Sequence, residues 1–274
     1  MSGGAQPEQE TRTETLAPEP AEALAALLDL EEPVGDRLPP LWHWVYLLER
    51  RPHRDLGPDG HPLVGVPAPP APGMRRMFAG GRVASHGALR LGREATRSTR
   101  VVRTVEKTGR SGPLTFVTVR HVVSQDGRLL VVDEQDIVYR APGGTGLRSA
   151  PGPAAGEEAG GVVLDLDVDE AFLFRFSALT YNAHRIHYDR TYVRAEGYDD
   201  LVVHGPLQAL AMAELYRRNG VDLTGRVFGY RLVAAMTGPQ RLRAAADPGG
   251  IEAGVRTLSE RGVETATATL DPAP

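Results

Sequence analysis

The chain predicts an α+β architecture in two halves, each a helix followed by an antiparallel sheet. Three observations lead there. Over Arg97–Tyr139 the hydrophobic pattern turns to period two, in the runs RSTRVVRTV, LTFVTVRHVV and LLVVDEQDIVY, which is the signature of strands with one buried face. Residues 141–161, APGGTGLRSAPGPAAGEEAGG, are dominated by Gly, Pro and Ala and read as a linker. Beyond that linker the order repeats, with an apolar helix followed by four strand-like runs.

Taken in order, residues 1–17 are rich in Gly, Ser, Thr, Glu and Pro with little apolar content, so a disordered tail is expected. Residues 20–31 (PAEALAALLDLE) form a helix, with Pro20 at its start and Glu22 in its first turn. Leu41–Glu49 (LWHWVYLLE) reads as a second helix, bulky enough to be buried or to lie under a sheet, and it holds both tryptophans. The Pro-, Gly- and Asp-rich stretch 52–75 is an irregular loop of a length that, in a compact domain, goes with function. Lys107–Pro113 turns between the first two strands, and Gln125-Asp126-Gly127 is the hairpin turn between the last two. The first half therefore spans 18–140. The second, 162–274, opens with a short strand at Val162–Leu166. A polar loop and a helix from about Gly205 follow. Strands are expected over Gly225–Met236, Gln240–Ala245, Ile251–Leu258 and Glu264–Leu270.

Composition narrows the function classes. With 274 residues, 41% hydrophobic and 24% charged, the balance is that of an ordinary soluble protein. A net charge of −4 and a pI near 6.1 give no surface for nucleic acid. The absence of cysteine excludes disulfides, cysteine-ligated zinc and a thiol nucleophile, and fits a reducing cytoplasm. No apolar stretch has the roughly 18 residues of a membrane helix, and the acidic N-terminus has no signal-peptide core.

The chemistry concentrates in Phe176–Leu215, where His184, His187 and His204 fall among Tyr181, Asn182, Arg185, Tyr188 and Asp189. His204-Gly205-Pro206 then leads into LQALAMAEL, a run of strong helix formers, with Pro206 suited to a first helical turn. Free N–H groups at such a helix start suit an oxyanion. A metal held by His184, His187 and Asp189 is conceivable by residue type, but the spacing lacks a ligand pattern, and neither metal nor organic cofactor is expected. His43, His53, His61, His86 and His121 stand outside any pattern and read as structural polar residues.

The run Phe176–Asp189 (FSALTYNAHRIHYD), followed by Gly197-Tyr198 and Leu201-Val202-Val203-His204-Gly205, resembles the hydratase motif of the MaoC-like hotdog proteins. Within them it is most similar to the mesaconyl-C4-CoA hydratases and the mitochondrial-type 3-hydroxyacyl-thioester dehydratases. Met77–Arg82, Lys107–Gly112 and Asp133–Tyr139 resemble the first half of that subgroup. The resemblance implies a double hotdog, two helix-wrapped antiparallel sheets joined into one, with a non-catalytic first half lining the acyl and CoA tunnel. It also implies one active site per chain and the reversible hydration of an enoyl-CoA or other 3-hydroxyacyl thioester. A possible homodimer goes with such a fold.

Carried over residue by residue, His187 aligns with the family's catalytic histidine. Asn182 stands where the general motif has its catalytic aspartate, and His184 where it has asparagine. An amide cannot act as a base, so the base is sought in His184 or His187, while Asn182 can hold a water or the thioester. Gly205 N–H is the expected donor to the thioester oxygen. Tyr181 and His204 are substrate-binding candidates, His204 also supporting the helix start. Arg185 could bind a free carboxylate of a dicarboxylic acyl group, or pair with Asp189. Arg110, with Lys107, lies on a basic turn suited to CoA phosphates. Two other readings share the fold: a thioesterase, using the same N–H for a tetrahedral oxyanion, and a non-catalytic acyl-CoA-binding subunit.

Overall fold

The computed structural model describes residues 9–31, 35–109, 112–141 and 161–273. All of the expected linker 141–161 but its two end residues lies outside the described residues. Strand β1 (Gln9–Thr15) leads into helix α1 (Pro18–Leu27), a short 3₁₀ turn at Trp42–Val45, and strands β2 (Arg75–Ser85), β3 (Glu94–Gly109), β4 (Gly112–Gln125) and β5 (Arg128–Arg140). The second half runs β6 (Val163–Val168), α2 (Glu170–Leu179), α3 (Arg190–Ala195), α4 (Gly205–Arg218), β7 (Arg226–Leu232), β8 (Gln240–Asp247), β9 (Gly250–Leu258) and β10 (Glu264–Pro272).

All ten strands form one antiparallel sheet in the order β1-β3-β4-β5-β2-β7-β10-β9-β8-β6. The order reads the same outward from the β2–β7 junction, each half being a first strand, a hairpin meander and a second strand that meets its counterpart. That is the joined pair of sheets expected of a double hotdog. In the second half the sheet wraps α4, whose residues Leu207–Tyr216 are all buried and which packs on β2 and β6–β10.

Two expectations fail. Residues 9–17 are not a tail: β1 pairs with β3 from Gln9↔Arg100 to Thr15↔Glu94, and Leu16 is fully buried. The inward side of β1 is polar, with Glu10 bound to Arg51 and Glu14 accepting from the Leu47 N–H at 2.5 Å. Hydrophobic periodicity therefore cannot see it. Leu41–Glu49 is not a second helix. Left-handed backbone at Leu41 (φ 67°) and Leu47 (φ 54°) brackets the 3₁₀ turn. Its polar handles go to three distant elements, Trp42 Nε1 to Glu214 at 2.9 Å, Trp44 Nε1 and the His43 ring to Asp133 at 2.8 and 3.3 Å, and Tyr46 Oη to the Ala17 carbonyl at 2.6 Å. Where the second half has α4, the first half has this turn and the irregular stretch that runs on to Met74.

The junction rests on Gly80 and Gly81. Gly80 follows a bulge in the β2–β5 ladder and has φ 150°, and a side chain at Gly81 would sit 2.2 Å from the Glu134 carbonyl oxygen. A Cβ at Gly229, across the junction in β7, meets nothing closer than 3.6 Å. Gly81→Ala is therefore expected to cost roughly 3 kcal/mol, against within about 0.5 kcal/mol for Gly229→Ala. Urea unfolding of the two variants checks the contrast.

Candidate active site

The histidine loop begins earlier in a helix than its polarity suggests. Asp169 caps α2, accepting from Phe172 N–H at 2.7 Å, and Phe176–Leu179 are its last turn. Tyr181 then takes left-handed backbone (φ 50°), and Asn182 N–H bonds back to the Ser177 carbonyl at 2.8 Å. The Asn182 Oδ1 accepts from His184 N–H at 3.0 Å, a local side-chain turn that fixes where His184 leaves the backbone. A 3₁₀ turn over Arg185–His187 follows, and Asp189 caps α3 by accepting from Tyr192 N–H at 2.9 Å.

Arg185 is committed within this loop. Its Nε and Nη2 donate to Asp189 Oδ2 at 3.0 and 2.6 Å, its guanidinium covers the Tyr192 ring at 4.5 Å, and its Nη1 donates to the Pro58 carbonyl at 3.0 Å. The pairing with Asp189 is thus the outcome, and Arg185 does not line the cavity. The expected carboxylate-binding role is withdrawn.

Four imidazoles form a row. Ring centroids are 4.1 Å apart for His61 and His184, 5.6 Å for His184 and His187 in an edge contact, and 3.6 Å for the stacked His187 and His204. His187 Nδ1 lies 2.6 Å from the Val202 carbonyl, which can only accept. The proton is therefore on Nδ1, and Nε2 carries the lone pair. His204 is fully buried under His187, with Nε2 2.8 Å from Ser177 Oγ, and it is absent from the cavity wall. This corrects the substrate-binding expectation for His204: it stacks behind His187 at the residue before α4, and its side chain makes no capping bond to that helix.

Burial sets the protonation of the row. Desolvation drives His187 down to about 4 despite its bond to Val202, and it holds His184 and His204 well below the usual imidazole range. His61 is lowered for the same reason, offset in part by its hydrogen bond to Asp59. All four are neutral near pH 7.

Three of these imidazoles, His61, His184 and His187, face a cavity of about 880 Å³ at the junction of the halves. His61, Asn182, His184 and His187 form one wall, and Gly205 and Pro206 at the start of α4 another. Among the described residues Gly205 N–H has no hydrogen-bond partner, and a side chain there would come within 3.0 Å of Phe78 Cδ1. Tyr181 also lines the cavity and is 56% exposed, so it stands at the rim. Arg110 lies outside the described residues. The far wall comes from the first half, where Trp44 and Ile137 are apolar and Arg76 and Arg97 are cationic.

One ligand atom each from Asp59, His61 and His184 fall within 4.8 Å of one another. A tetrahedral ion with bonds of about 2.1 Å brings its ligands to roughly 3.4 Å apart. Here Asp59 Oδ2 and His61 Nδ1, at 3.3 Å, are joined to each other by a hydrogen bond, which uses that nitrogen. The cluster reads as a carboxylate–imidazole pair beside a third imidazole.

Residues 41–238 match the family described as hydroxyacyl-thioester dehydratase type 2. The chain belongs to that family. Its reaction class follows: the reversible addition of water across the double bond of an enoyl thioester, the work of a hydro-lyase. The chain is also 43% identical over 259 residues to the mesaconyl-C(4)-CoA hydratase of Chloroflexus aurantiacus, covering 92% of this chain and 91% of that protein. Among solved structures, HtdX of Mycobacterium tuberculosis superimposes with a TM-score of 0.65 at 16% identity, over 96% of this chain and 100% of that one. A second protein of that organism, described as having a double hotdog fold, gives 0.55 at 16% identity over 97% of each chain. At such identities the solved structures bear on the fold alone. No helix among the described residues is long and apolar enough to cross a membrane.

For this family member, the residues named in advance that meet in one cavity are His187, His184, Asn182, Gly205 and Tyr181. Arg76 and Arg97 join them without having been singled out, as does His61, which had been read as a structural polar residue, with Asp59 hydrogen-bonded behind it. The length of the 52–75 loop was the available signal for Asp59 and His61. Arg76 and Arg97 sit in strands whose inward positions are otherwise mixed, and nothing local marks them.

The neutral histidines make stability pH-dependent. Below about pH 6.5 the unfolded chain binds protons that the folded chain refuses, so stability falls as pH drops towards the folded value. For His187 and His121, both held near 4 chiefly by burial, the loss between pH 7.5 and 5.5 is roughly 1 kcal/mol each. Urea midpoints at the two pH values measure it, and an unchanged midpoint would contradict neutral burial.

Proposed function

We propose that this family member hydrates an enoyl-CoA whose acyl group carries a second, free carboxylate. The observation that carries the reading is the pair Arg76 and Arg97 on the cavity wall. Among the described residues neither guanidinium forms an ion pair or hydrogen bond, and Arg97 Nε is buried without a partner. A half-buried guanidinium with no ion pair is costly, and a carboxylate arriving with the substrate supplies one. The 43% identical relative, a hydratase of a mesaconyl-C(4)-CoA, supports the same substrate class and a CoA thioester.

In this reading the thioester oxygen accepts from Gly205 N–H, which stabilises the enolate that forms as water adds. His187 Nε2, its lone pair directed by the Val202 bond at Nδ1, accepts a hydrogen bond from the attacking water. His187 thereby holds the water, and a neutral imidazole of the row takes its proton, a task Asn182 cannot perform because its amide oxygen is a weak acceptor already engaged by His184 N–H. Tyr181 closes the rim.

The test is purified protein with mesaconyl-C4-CoA and with crotonyl-CoA, following enoyl-thioester absorbance beside a free-thiol assay. Absorbance is expected to fall without thiol release, and His187→Ala is expected to lower kcat by about 100-fold or more. Thiol release at a matching rate would make the protein a thioesterase. Arg97→Met is expected to raise KM for the dicarboxylic thioester by about 10- to 100-fold and to leave crotonyl-CoA unaffected. Equal effects on both substrates would sink the carboxylate reading.

A further inference from the structure

The long loop of the first half delivers groups to the reaction that the histidine motif does not contain. His61 lines the same cavity as His187, and its ring lies 4.1 Å from that of His184. Asp59 holds it twice: Oδ2 is 3.3 Å from His61 Nδ1, and Oδ1 accepts from His61 N–H at 3.0 Å. A carboxylate can only accept, so Nδ1 carries the hydrogen and His61 Nε2 is left with the lone pair.

The placement of this loop is built in. Gly60, between the two residues, has φ 90°, and a side chain on it would meet the Ala183 carbonyl oxygen at 1.9 Å. Arg185 N–H donates to the Asp59 carbonyl at 2.9 Å, and Arg185 Nη1 to the Pro58 carbonyl at 3.0 Å. The loop is thereby locked against the catalytic loop at the place where Asn182 cannot serve as a base.

We infer that His61, supported by Asp59, is the catalytic residue that takes the proton from water and returns it to the substrate. The inference rests on the hydratase reading. Water's O–H bond breaks as its proton moves to His61 Nε2, and its oxygen bonds the β-carbon. The electron pair of the C=C bond shifts into the thioester enolate. As the enolate collapses, the α-carbon takes the proton back from the His61 imidazolium, so one water is added and the enzyme is unchanged. Of the four imidazoles in the row, His61 is the one with a carboxylate to support its charged form, whereas His187 has a carbonyl and His204 a hydroxyl. Asp59 acts through His61 and is a positioning residue.

The full chain is assayed with whichever of mesaconyl-C4-CoA and crotonyl-CoA the wild type hydrates faster. His61→Asn and His61→Gln are each expected to lower kcat about 100-fold or more, with KM changed less than about threefold and thermal midpoints close to wild type. Asp59→Asn is expected to lower kcat about 10-fold. It should also move the acid limb of kcat/KM to lower pH, because the imidazolium loses its carboxylate while Arg76, His184 and His187 still face it. That shift separates positioning from a purely structural loss. Wild-type kcat in either folded His61 variant would overturn the inference, as would a stoichiometric metal in the purified protein whose removal by chelation abolishes turnover. Wild-type protein inert on both thioesters would instead remove the hydratase reading, and this inference with it.

Discussion

Six residue pairs between β2 and β7, from Gly80↔Arg231 to Ser85↔Arg226, hold the two halves in one sheet. Everything at the candidate active site is measured from that seam. β2 carries Arg76 and Phe78 into the cavity, and Phe78 lies over the position of Gly205 at the start of α4. The bulge between Phe78 and Gly80 lets β2 face the cavity on one side and close the seam on the other. The cavity exists because the first half places a 3₁₀ turn and an irregular loop where the second places α4.

The site's chemistry depends on burial more than on charge. Carboxylates near the row are few, so its imidazoles are kept neutral by desolvation, and the Val202 carbonyl fixes the tautomer of His187. A neutral imidazole with a directed lone pair is a competent acceptor for water's proton. The counterweight is an imidazolium that is costly once formed, which is where a nearby carboxylate counts most.

Much of this was legible in the amino-acid order. The meander β3–β5, the turn at Gln125–Gly127 and the strands after α4 follow from period-two patterning and Gly-containing turns. The motif around His184 and His187 identified one wall of the site. What was hidden has physical reasons. β1 turns charged rather than apolar side chains inward. The Trp42–Tyr46 segment carries strong apolar content, yet its polar tips are claimed by distant partners on three different elements, and this overrides helical propensity. His204 shares the motif's spacing with His187, but only the packing reveals that it lies behind that ring and off the wall. Asp59 and His61 are more than 100 residues from the motif they join, and local pattern carries no information about such a meeting.

The contact of Gly60 with Ala183 has a consequence for how the chain can vary. The hydrogen bond from Arg185 to Pro58 spans 127 positions, and the backbone of one loop rests directly on the other. Substitutions at 57–62 are therefore judged by a surface that belongs to the opposite half, and those at 182–185 by the first. The two halves share one fold plan, yet they cannot drift independently or be exchanged piecemeal with those of a distant relative. Their mutational histories are tied together at a glycine.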